Sequence, residues 1–311
     1  MNIKRLFAAG MKYLKSADYR FLTHAELGFY DSMPDEEYLK RKYKAWMGKE
    51  LNLENPETFN EKLQWLKLYD RRPQYTMLAD KVAVRDYIAK ELGEEYLIPT
   101  LGAWDDPDDI DFDALPDRFV LKCNHNSGLG MCICKDKSKL DVEAAKAGLR
   151  KGLKQDYYLT GREWPYKGIP HKILGEQYIE DSKGRLDDYK FFCFDGKIDC
   201  VMVVCDRAIN EAKFYYMSKD WEILPYGRLT RSLPKDFTMP KPENLDKMWQ
   251  IAEKLSKGFP QVRIDLYNVD GKIYFGEFTL YSQSGLEEGF DYASDKHLGD
   301  QIILPNKTKG E

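Results

Sequence analysis

The chain has 311 residues and a mass of 36.4 kDa, which is enough for one large domain or two to three small ones with sizeable cores. Its net charge of −4 argues against a general nucleic-acid binder, so that an anionic ligand must be met by local basic groups. The six cysteines lack the spacing of a zinc site and are expected to be reduced thiols. No apolar run is long enough for a membrane span and the N-terminus shows no signal-peptide pattern, so we expect a cytoplasmic protein.

The first part of the chain predicts helices. Residues 1–15 form a basic amphipathic pattern that is expected to contact the inner face of a membrane, to bind a polysaccharide-assembly partner, or to pack on the protein itself. Residues 32–48 carry a second helical stripe that ends at a glycine. Thr58 and Glu61 have the spacing of a capping box that begins a third helix. These helices are expected to form a scaffold.

Lys81 is the first basic residue with a predicted ligand. Asp80 is expected to cap a helix that ends at Gly93, which places Lys81 in the first turn. A lysine there opposes the positive end of the helix, so it is either solvated or held for an anion. Downstream, Asp111 and Asp113 have Asp-x-Asp spacing but fall in a turn-rich stretch that predicts a solvated loop.

A strand, a small polar and glycine-rich loop and a second strand follow at residues 119–134. This pattern is typical of a flap whose backbone amides wrap phosphate groups, and it lacks the helix of a Walker-type loop. Lys122 interrupts the apolar first strand, where an ammonium group needs an anionic partner. That partner is either a ligand or a structural salt bridge, and the sequence leaves both open.

Further along, residues 172–180 predict a strand that leads into a linker, and residues 187–197 predict a hairpin. Alternation places Asp188 and Lys190 on one face of this hairpin. Arg207 and Lys213 follow in a polar segment that is suited to supply positive charge.

Residues 263–280 predict a second hairpin around Asp270-Gly271. A two-residue turn would place Asp265 and Glu277 on opposite faces, whereas a three-residue loop would place them together. We predict the three-residue loop, because it gathers the apolar side chains, Tyr274 among them, on one face. The other face then carries a charged set of Arg263, Asp265, Glu277 and Thr279. Such a set is costly unless a hard cation such as Mg²⁺ compensates the carboxylates, the alternative being a solvated hairpin with an Arg263–Glu277 pair.

Six motifs in this order resemble the ATP-grasp superfamily and, within it, the TupA-like ATP-grasp family of teichuronopeptide and cell-surface polysaccharide biosynthesis. The resemblance covers about residues 35–305 and is carried by NPETFNEKLQWLKLYDRR, LADKVAVRDY, FVLKCNHNSG, ILGEQYI, DDYKFFCFDGK and RIDLYNVDGKIYFGEFT. It implies an α+β ATP-grasp fold with two α+β lobes that clamp ATP and a helical N-terminal extension. The implied segments are an extension at 1–78, the rest of the N-terminal lobe at 79–116, a central lid at 117–175 and a C-terminal subdomain with the metal site at 176–311.

The resemblance also implies a role for each matching residue. Lys81 and Lys122 match the lysines that hold the α- and β-phosphates, and Asp188 matches the acid that holds the ribose. The flap over the phosphates is represented by Asn124, Asn126, Ser127 and Gly128, and the adenine hinge by Glu176, Gln177 and Ile179. Arg263 is implied to stabilise charge on the acyl group, and Lys190, Arg207 and Lys213 to contact the γ-phosphate or the acceptor. Asp265, Glu277 and Thr279 match Mg²⁺ ligands, with Thr279 at a position where many relatives have Asn.

The implied activity is that of a carboxylate–amine ligase that uses ATP and Mg²⁺ and acts through an acylphosphate. Its substrates would be a uronic acid or acidic group of a cell-surface polysaccharide and an amine such as an amino acid. Two other functions stay open at this point: an ATP-dependent sugar kinase, and a glycosyltransferase that would use the Asp-x-Asp at 111–113. A catalytically silent nucleotide-binding module is a third alternative, suggested by Thr279.

Overall fold

The structure is a computed structural model that describes residues 10–205 and 212–307. Arg207 and the first nine residues of the predicted basic helix therefore lie outside the described residues. The helices of the described chain are Ala17–Glu26, Asp35–Met47, Phe59–Tyr69, Gln74–Ala79, Val84–Glu91, Val142–Leu153, Tyr157–Gly161, Arg228–Arg231, Leu245–Leu255 and Tyr292–Asp300. None of the helices in these ranges is long and apolar enough to cross a membrane.

Four strands form a first antiparallel sheet, here called sheet A. They are β1 (Thr100–Trp104), β2 (Phe119–Cys123), β3 (Cys132–Cys134) and β4 (Ile173–Gln177), in the spatial order β1-β4-β2-β3. Val120 lies opposite Glu176, and Lys122 lies opposite Leu174. Because residues that lie opposite each other share a face, Lys122 and Glu176 project from the same side of the sheet.

Five strands form a second antiparallel sheet, sheet B. They are β5 (Asp188–Phe194), β6 (Lys197–Cys205), β7 (Lys213–Met217), β8 (Val262–Val269) and β9 (Lys272–Thr279), in the spatial order β7-β6-β5-β8-β9. The central strand β5 is buried along its whole length, as expected for a strand that is covered on both faces.

The N-terminal helices share one hydrophobic core with sheet B. Phe59 packs against Phe192 and Phe194 of β5, with ring centroids 5.9 and 6.4 Å apart. The predicted capping box is present: the amide of Glu61 donates to the Thr58 hydroxyl and the amide of Thr58 donates to the Glu61 carboxylate. The helical segment before residue 78 thus supports the sheet that carries the charged hairpin.

The charged hairpin does not use the three-residue loop that we predicted from sequence. Val269 pairs with Lys272, so the turn has two residues, and both Asp270 (φ 49°) and Gly271 (φ 86°) are left-handed, as a type I′ turn requires. Asp265 nevertheless lies opposite Glu277, because a bulge skips Gly276 and shifts the register by one residue.

The same bulge corrects one predicted apolar position. Phe275, not Tyr274, lies opposite Leu266 and shares its face, while Tyr274 pairs with Tyr267 on the charged side. Gly276 suits the bulge because a Cβ there would come within 3.0 Å of the Asp265 carbonyl oxygen and within 3.3 Å of the Tyr267 ring.

The helix predicted to begin at Asp80 begins later, at Val84. Asp80 Oδ1 instead accepts hydrogen bonds from the amide of Val82 and the side chain of Asn124, so its carboxylate connects this turn to the end of β2. The predicted α+β class is confirmed, with two antiparallel sheets and helices that cover them.

Candidate functional site

The charged side chains of sheet B lie side by side on three adjacent strands. Lys190 on β5 lies opposite Asp265 on β8, and Asp265 lies opposite Glu277 on β9. Two pairs further along, on the same face, Arg263 lies opposite Thr279. This order follows from the pleat and from the bulge at Gly276, and it forms one continuous polar face, which we call the charged face.

Asp265 is the centre of the charged face. Arg263 donates to both of its oxygens, from Nε at 2.7 Å and from Nη2 at 2.8 Å, and Lys190 donates to Oδ2. Burial alone would raise the pKa of Asp265, but the charges of Arg263 and Lys190 outweigh burial and hold that pKa below its ordinary value. Asp265 is therefore a carboxylate at neutral pH, although it is almost completely buried.

Lys190 and Arg263 connect this carboxylate to its neighbours. Lys190 Nζ lies 2.7 Å from Asp188 Oδ2, so it bridges two acids on adjacent strands. Arg263 also donates to the Thr279 hydroxyl at 2.9 Å and, through Nη1, to the Ser282 hydroxyl at 3.0 Å. Ser282 was not predicted, because its contact depends on the turn that follows β9.

Glu277 is the more accessible carboxylate of the charged face, with 37% of its side chain exposed. It accepts a hydrogen bond from the Thr279 hydroxyl at 3.1 Å and lies 3.5 Å from Arg263. Lys81 Nζ lies 3.8 Å from its other oxygen and donates to the carbonyl of Asn126 at 2.8 Å. Lys81 thus joins the charged face to the loop at residues 124–130, as the hypothesis of a shared cleft requires.

Sheet A carries a second buried carboxylate between two cations. Glu176 accepts from Lys122 Nζ at 2.5 Å and from Arg85 Nη1 at 3.0 Å. Lys122 therefore does have a protein partner, which is the structural alternative that the sequence left open. Burial, reinforced by the charge of Lys122, lowers the pKa of Lys81. The contact of Arg85 with Glu176 was not predicted, because the position of Arg85 in the sequence is typical of any polar residue on a helix surface.

The predicted flap residues divide into two groups. Asn124 is completely buried and donates to Asp80 and to the carbonyl of Pro170, while Asn126 donates to the carbonyls of Leu129 and Gly152. Both side chains therefore shape the loop from within. Ser127 and Gly128 are exposed at its tip, where the amide of Gly128 donates to Asn126 Oδ1 at 3.1 Å.

The remaining predicted residues lie apart from the charged face. Gln177 is exposed at the end of β4, and Ile179 is partly buried in the linker that follows. Lys213 pairs with Cys205, and this register places it on the side of sheet B opposite Asp188 and Lys190, so the structure does not bring it into the cluster.

The donor set suits Mg²⁺ in its chemistry, since Asp265, Glu277 and Thr279 offer hard oxygens. Within the described residues, however, no group of three or more His, Cys, Asp or Glu side chains is arranged to hold a metal. Both oxygens of Asp265 are held by cations, whereas Glu277 is open to solvent on one side. Glu277 is thus the oxygen donor that fits a metal as it stands, and Asp265 fits once Lys190 moves to a phosphate.

A comparison with protein families places the chain in one of them. A model described as TupA-like ATPgrasp matches residues 61–303 of the chain. None of the curated proteins matches it.

Several solved structures are similar to the chain. A D-alanine–D-alanine ligase from Helicobacter pylori has 17% identity and a TM-score of 0.43, with 79% of this chain and 69% of that protein covered. An L-amino acid ligase from Bacillus licheniformis has 13% identity and a TM-score of 0.43, with 96% of this chain and 66% of that protein covered. The D-cycloserine synthetase DcsG has 15% identity and a TM-score of 0.40, with 73% of this chain and 69% of that protein covered. The chain spans about two thirds of the length of these proteins.

Proposed function

Because the chain belongs to the TupA-like ATP-grasp family, we propose that it is an ATP-dependent ligase that joins a carboxylate to an amine. The observation that carries this proposal is the contact between Lys81 and Glu277, which brings the loop at residues 124–130 to the charged face. A triphosphate that lay between them would have cations and backbone amides on one side and oxygen donors on the other. That arrangement suits phosphoryl transfer, in which positioning and charge stabilisation do most of the catalysis.

The residues of the chain divide the work in the first step. Lys81 and Lys122 hold the α- and β-phosphates, and the exposed loop tip at Ser127 and Gly128 covers them. Lys190 lies at the reacting end, where it neutralises charge on the γ-phosphate. Asp265, Glu277 and Thr279 would hold Mg²⁺, which supplies further neutralisation of the transferred phosphoryl group.

Arg263 serves the second step. Once the substrate carboxylate has taken the γ-phosphoryl group, the amine attacks the acyl carbon and phosphate leaves. The guanidinium is fixed by Asp265, Thr279 and Ser282, so it needs little reorganisation to stabilise the oxyanion of the tetrahedral intermediate. A preorganised donor of this kind typically lowers the activation free energy by about 3 kcal/mol.

We extend the proposal to the substrates by analogy with the family. The acid would be a uronic acid or other acidic group of a cell-surface polysaccharide, and the amine an amino acid or amino sugar. The glycosyltransferase alternative loses its support, because Asp111 accepts hydrogen bonds from the amides of Asp113 and Ala114 in an exposed turn.

An assay with ATP, Mg²⁺, hydroxylamine and a panel of uronic acids tests the reaction. A ligase gives hydroxamate together with ADP, since hydroxylamine traps the acylphosphate. A kinase gives ADP with a phosphosugar, and a transferase releases UDP from UDP-sugars. Calorimetry that detected no binding of ATP with Mg²⁺ would contradict the proposal without reference to any acid.

We also propose that the protein acts in the cytoplasm with peripheral contact at the inner face of the membrane. Of the predicted basic helix, residues 10–15 are described, and Met11 and Leu14 are exposed there beside Lys12 and Lys15. Exposed apolar and basic side chains together favour an anionic lipid surface. A chain that lacks residues 1–15 should lose binding to vesicles that contain phosphatidylserine, and unchanged binding would refute the contact.

A further inference from the structure

A second polar cluster lies where three separate parts of the chain meet. They are the helix Phe59–Tyr69, the short helix Tyr157–Gly161, and the turn Ser282–Gly285 that follows β9. Lys67 of the first helix is at its centre and is only 1% exposed. Its Nζ donates to the carbonyls of Gly161 and Ser284 at 2.8 and 2.7 Å, and to the Ser284 hydroxyl at 2.8 Å. One buried ammonium group thus holds all three parts together.

The turn that follows β9 has an unusual backbone. Gln283 and Ser284 have φ angles of 48° and 54°, in the left-handed region that non-glycine residues rarely adopt. Gly285 continues this conformation with a φ angle of 64°. Such a backbone persists only where the surrounding structure enforces it, so the turn needs partners that hold it in place.

The helix Phe59–Tyr69 supplies these partners from one face. Gln64 Nε2 donates to the carbonyls of Ser284 and Gly285 at 2.9 and 2.8 Å. Its Oε1 accepts a hydrogen bond from Lys67 at 3.2 Å. The turn also packs directly on the helix, because a Cβ at Gly285 would come within 2.5 Å of Gln64 Nε2. Lys67 and Gln64 together satisfy the carbonyls that the left-handed turn directs into the protein.

The short helix Tyr157–Gly161 fits against the same turn. Gly161 lies so close to it that a Cβ there would overlap the hydroxyl oxygen of Ser284. The carbonyl of Gly161 is also the one that accepts from Lys67. The position of the turn is therefore fixed from two sides, and Lys67 contacts both.

The first residue of the turn contacts the reaction centre. Ser282 is 4% exposed, and its hydroxyl accepts a hydrogen bond from Arg263 Nη1 at 3.0 Å. The guanidinium also donates to Asp265 and Thr279, which both lie on the strands of sheet B. Among these partners, Ser282 is the one whose position depends on the turn and not on strand pairing.

We propose that Lys67 is a positioning residue for Arg263: it fixes the turn, and the turn fixes the guanidinium through Ser282. The inference rests on the proposed ligase reaction, in which Arg263 stabilises the oxyanion of the second step. A donor gives this stabilisation only when it is already directed at the place where the charge develops, so a small displacement of Arg263 should lower the rate. The inference also gives a function to the motif at residues 55–72, whose helix contributes none of the predicted nucleotide or metal contacts.

A kinetic comparison tests this role in the assay with ATP, Mg²⁺, hydroxylamine and uronic acids. Lys67→Met removes the ammonium group and should lower kcat about tenfold, with the KM for ATP as in wild type, because the nucleotide contacts lie elsewhere. Ser282→Ala removes only the hydroxyl and should lower kcat about threefold. Since both changes break the same connection to Arg263, the double variant should lose about tenfold, whereas independent sites would lose about thirtyfold. A thirtyfold loss would overturn the connection through Ser282.

Lys62→Met is the matched control on the same helix. Lys62 Nζ donates to the carbonyls of Gly299 and Ile302, both at 2.9 Å, so it also joins the helix to a distant part of the chain. These carbonyls belong to the end of the helix Tyr292–Asp300 and the residues after it, not to the turn. Lys62→Met should therefore lower stability in urea unfolding and leave kcat as in wild type. An equal loss of kcat in Lys62→Met and Lys67→Met would reduce the role of Lys67 to general stability and overturn the inference.

An NMR measurement reports on Arg263 directly and needs no substrate. The Nε–H group of Arg263 donates to Asp265 at 2.7 Å, and its signal is identified by its absence from the spectrum of Arg263→Lys. Lys67→Met should shift or broaden this signal, as should Ser282→Ala, whereas Lys62→Met should leave it unchanged. A signal in Lys67→Met that is the same as in wild type overturns the inference, even if kcat falls.

The inference and the proposed function can fail separately. Wild type that forms no hydroxamate with any acid counts against the proposed function, and the Arg263 signal still decides whether Lys67 positions the guanidinium. Hydroxamate formation by wild type, with an unchanged Arg263 signal in Lys67→Met, supports the ligase and removes the role of Lys67. If Lys67→Met does not fold, Gln64→Leu takes its place, because it removes two hydrogen bonds to the same turn and keeps the ammonium group. It should shift the Arg263 signal as well, and an unchanged signal would overturn the inference.

Discussion

The two sheets carry the same charge motif in different surroundings. On sheet B, Asp265 is held between Arg263 and Lys190, and on sheet A, Glu176 is held between Arg85 and Lys122. Each is a buried carboxylate that two cations fix in place. The resemblance of the two motifs shows that a clamped carboxylate is not in itself evidence for a metal.

The difference lies in what stands beside each motif. On sheet B the neighbours are Glu277 and Thr279, which add oxygen donors, and Glu277 is open to solvent. On sheet A the neighbour is the loop at residues 124–130, whose tip at Ser127 and Gly128 is exposed. We infer that sheet B is the metal side of the site and that sheet A is the phosphate side, and the predictions below are ordered by how strongly they test this division.

The largest effect is expected for Asp265→Asn. The change leaves Arg263 and Lys190 without their shared counter-charge, and breaking such a buried pair costs roughly 3 kcal/mol of unfolding free energy. It also removes a metal oxygen, so ATP turnover in the hydroxylamine assay should fall about a thousandfold. Urea unfolding and the assay measure the two effects separately.

Glu176→Gln is the matched comparison for Asp265→Asn. It breaks the equivalent motif on sheet A, so it should cost a similar unfolding free energy but lower turnover far less, by about tenfold. Equal losses of turnover in the two variants would show that the sheets do not differ in function.

The next effect is that of Glu277→Gln. Because Glu277 is partly exposed and its ion pairs are long, at 3.5 and 3.8 Å, its loss should change stability by less than about 1 kcal/mol. Turnover should nevertheless fall about a hundredfold, and the Mg²⁺ concentration at half-maximal rate should rise. Glu91→Gln removes a carboxylate of similar exposure that pairs with Lys254, and an equal loss of turnover in that variant would argue against a metal role for Glu277.

Much of the charged face was predictable because it depends on local rules. An Asp-Gly turn between alternating strands predicts a hairpin, and the positions of Arg263, Asp265 and Glu277 follow from strand period. The bulge was not predictable in this way. A three-residue loop and a two-residue turn with a bulge at Gly276 both place Asp265 and Glu277 on one face. They differ in whether Tyr274, or instead Ile273 and Phe275, face the core.

The cluster around Lys67 shows the other limit of the sequence. Asn60, Gln64 and Lys67 recur at the spacing of one helix face, and a polar stripe of this kind was readable beside the apolar positions of the same helix. Its partners, Gly161 and Ser284, lie 94 and 217 residues away from Lys67 in the chain, so a single sequence gives no sign that they meet.

A smaller effect is expected for Lys122→Met on sheet A. Lys122 would share the phosphate charge with Lys81, so its loss should weaken ATP binding about tenfold, or about 1.4 kcal/mol, with Mg²⁺ dependence unchanged. Lys172, the residue just before β4, pairs with Asp105 at the surface. Lys172→Met should therefore leave ATP affinity as in wild type. A shift in Mg²⁺ dependence for Lys122→Met would place the metal on sheet A and contradict the division that we infer.

The smallest effect concerns pH and the base of the loop at residues 124–130. His125 stacks on His171 with ring centroids 3.5 Å apart, and burial, reinforced by the charge of His171, lowers the pKa of His125 from 6.5 to about 4. In the unfolded chain His125 takes up a proton near pH 6.5, whereas in the folded chain it does so near pH 4. Stability from this group is therefore fully present above pH 6.5 and is lost as the pH falls towards 4. Thermal unfolding of His125→Gln should depend less on pH across that range than thermal unfolding of wild type. If the two curves run parallel, the loop at residues 124–130 is not held by a neutral imidazole, and sheet A offers phosphate a less rigid loop than we infer.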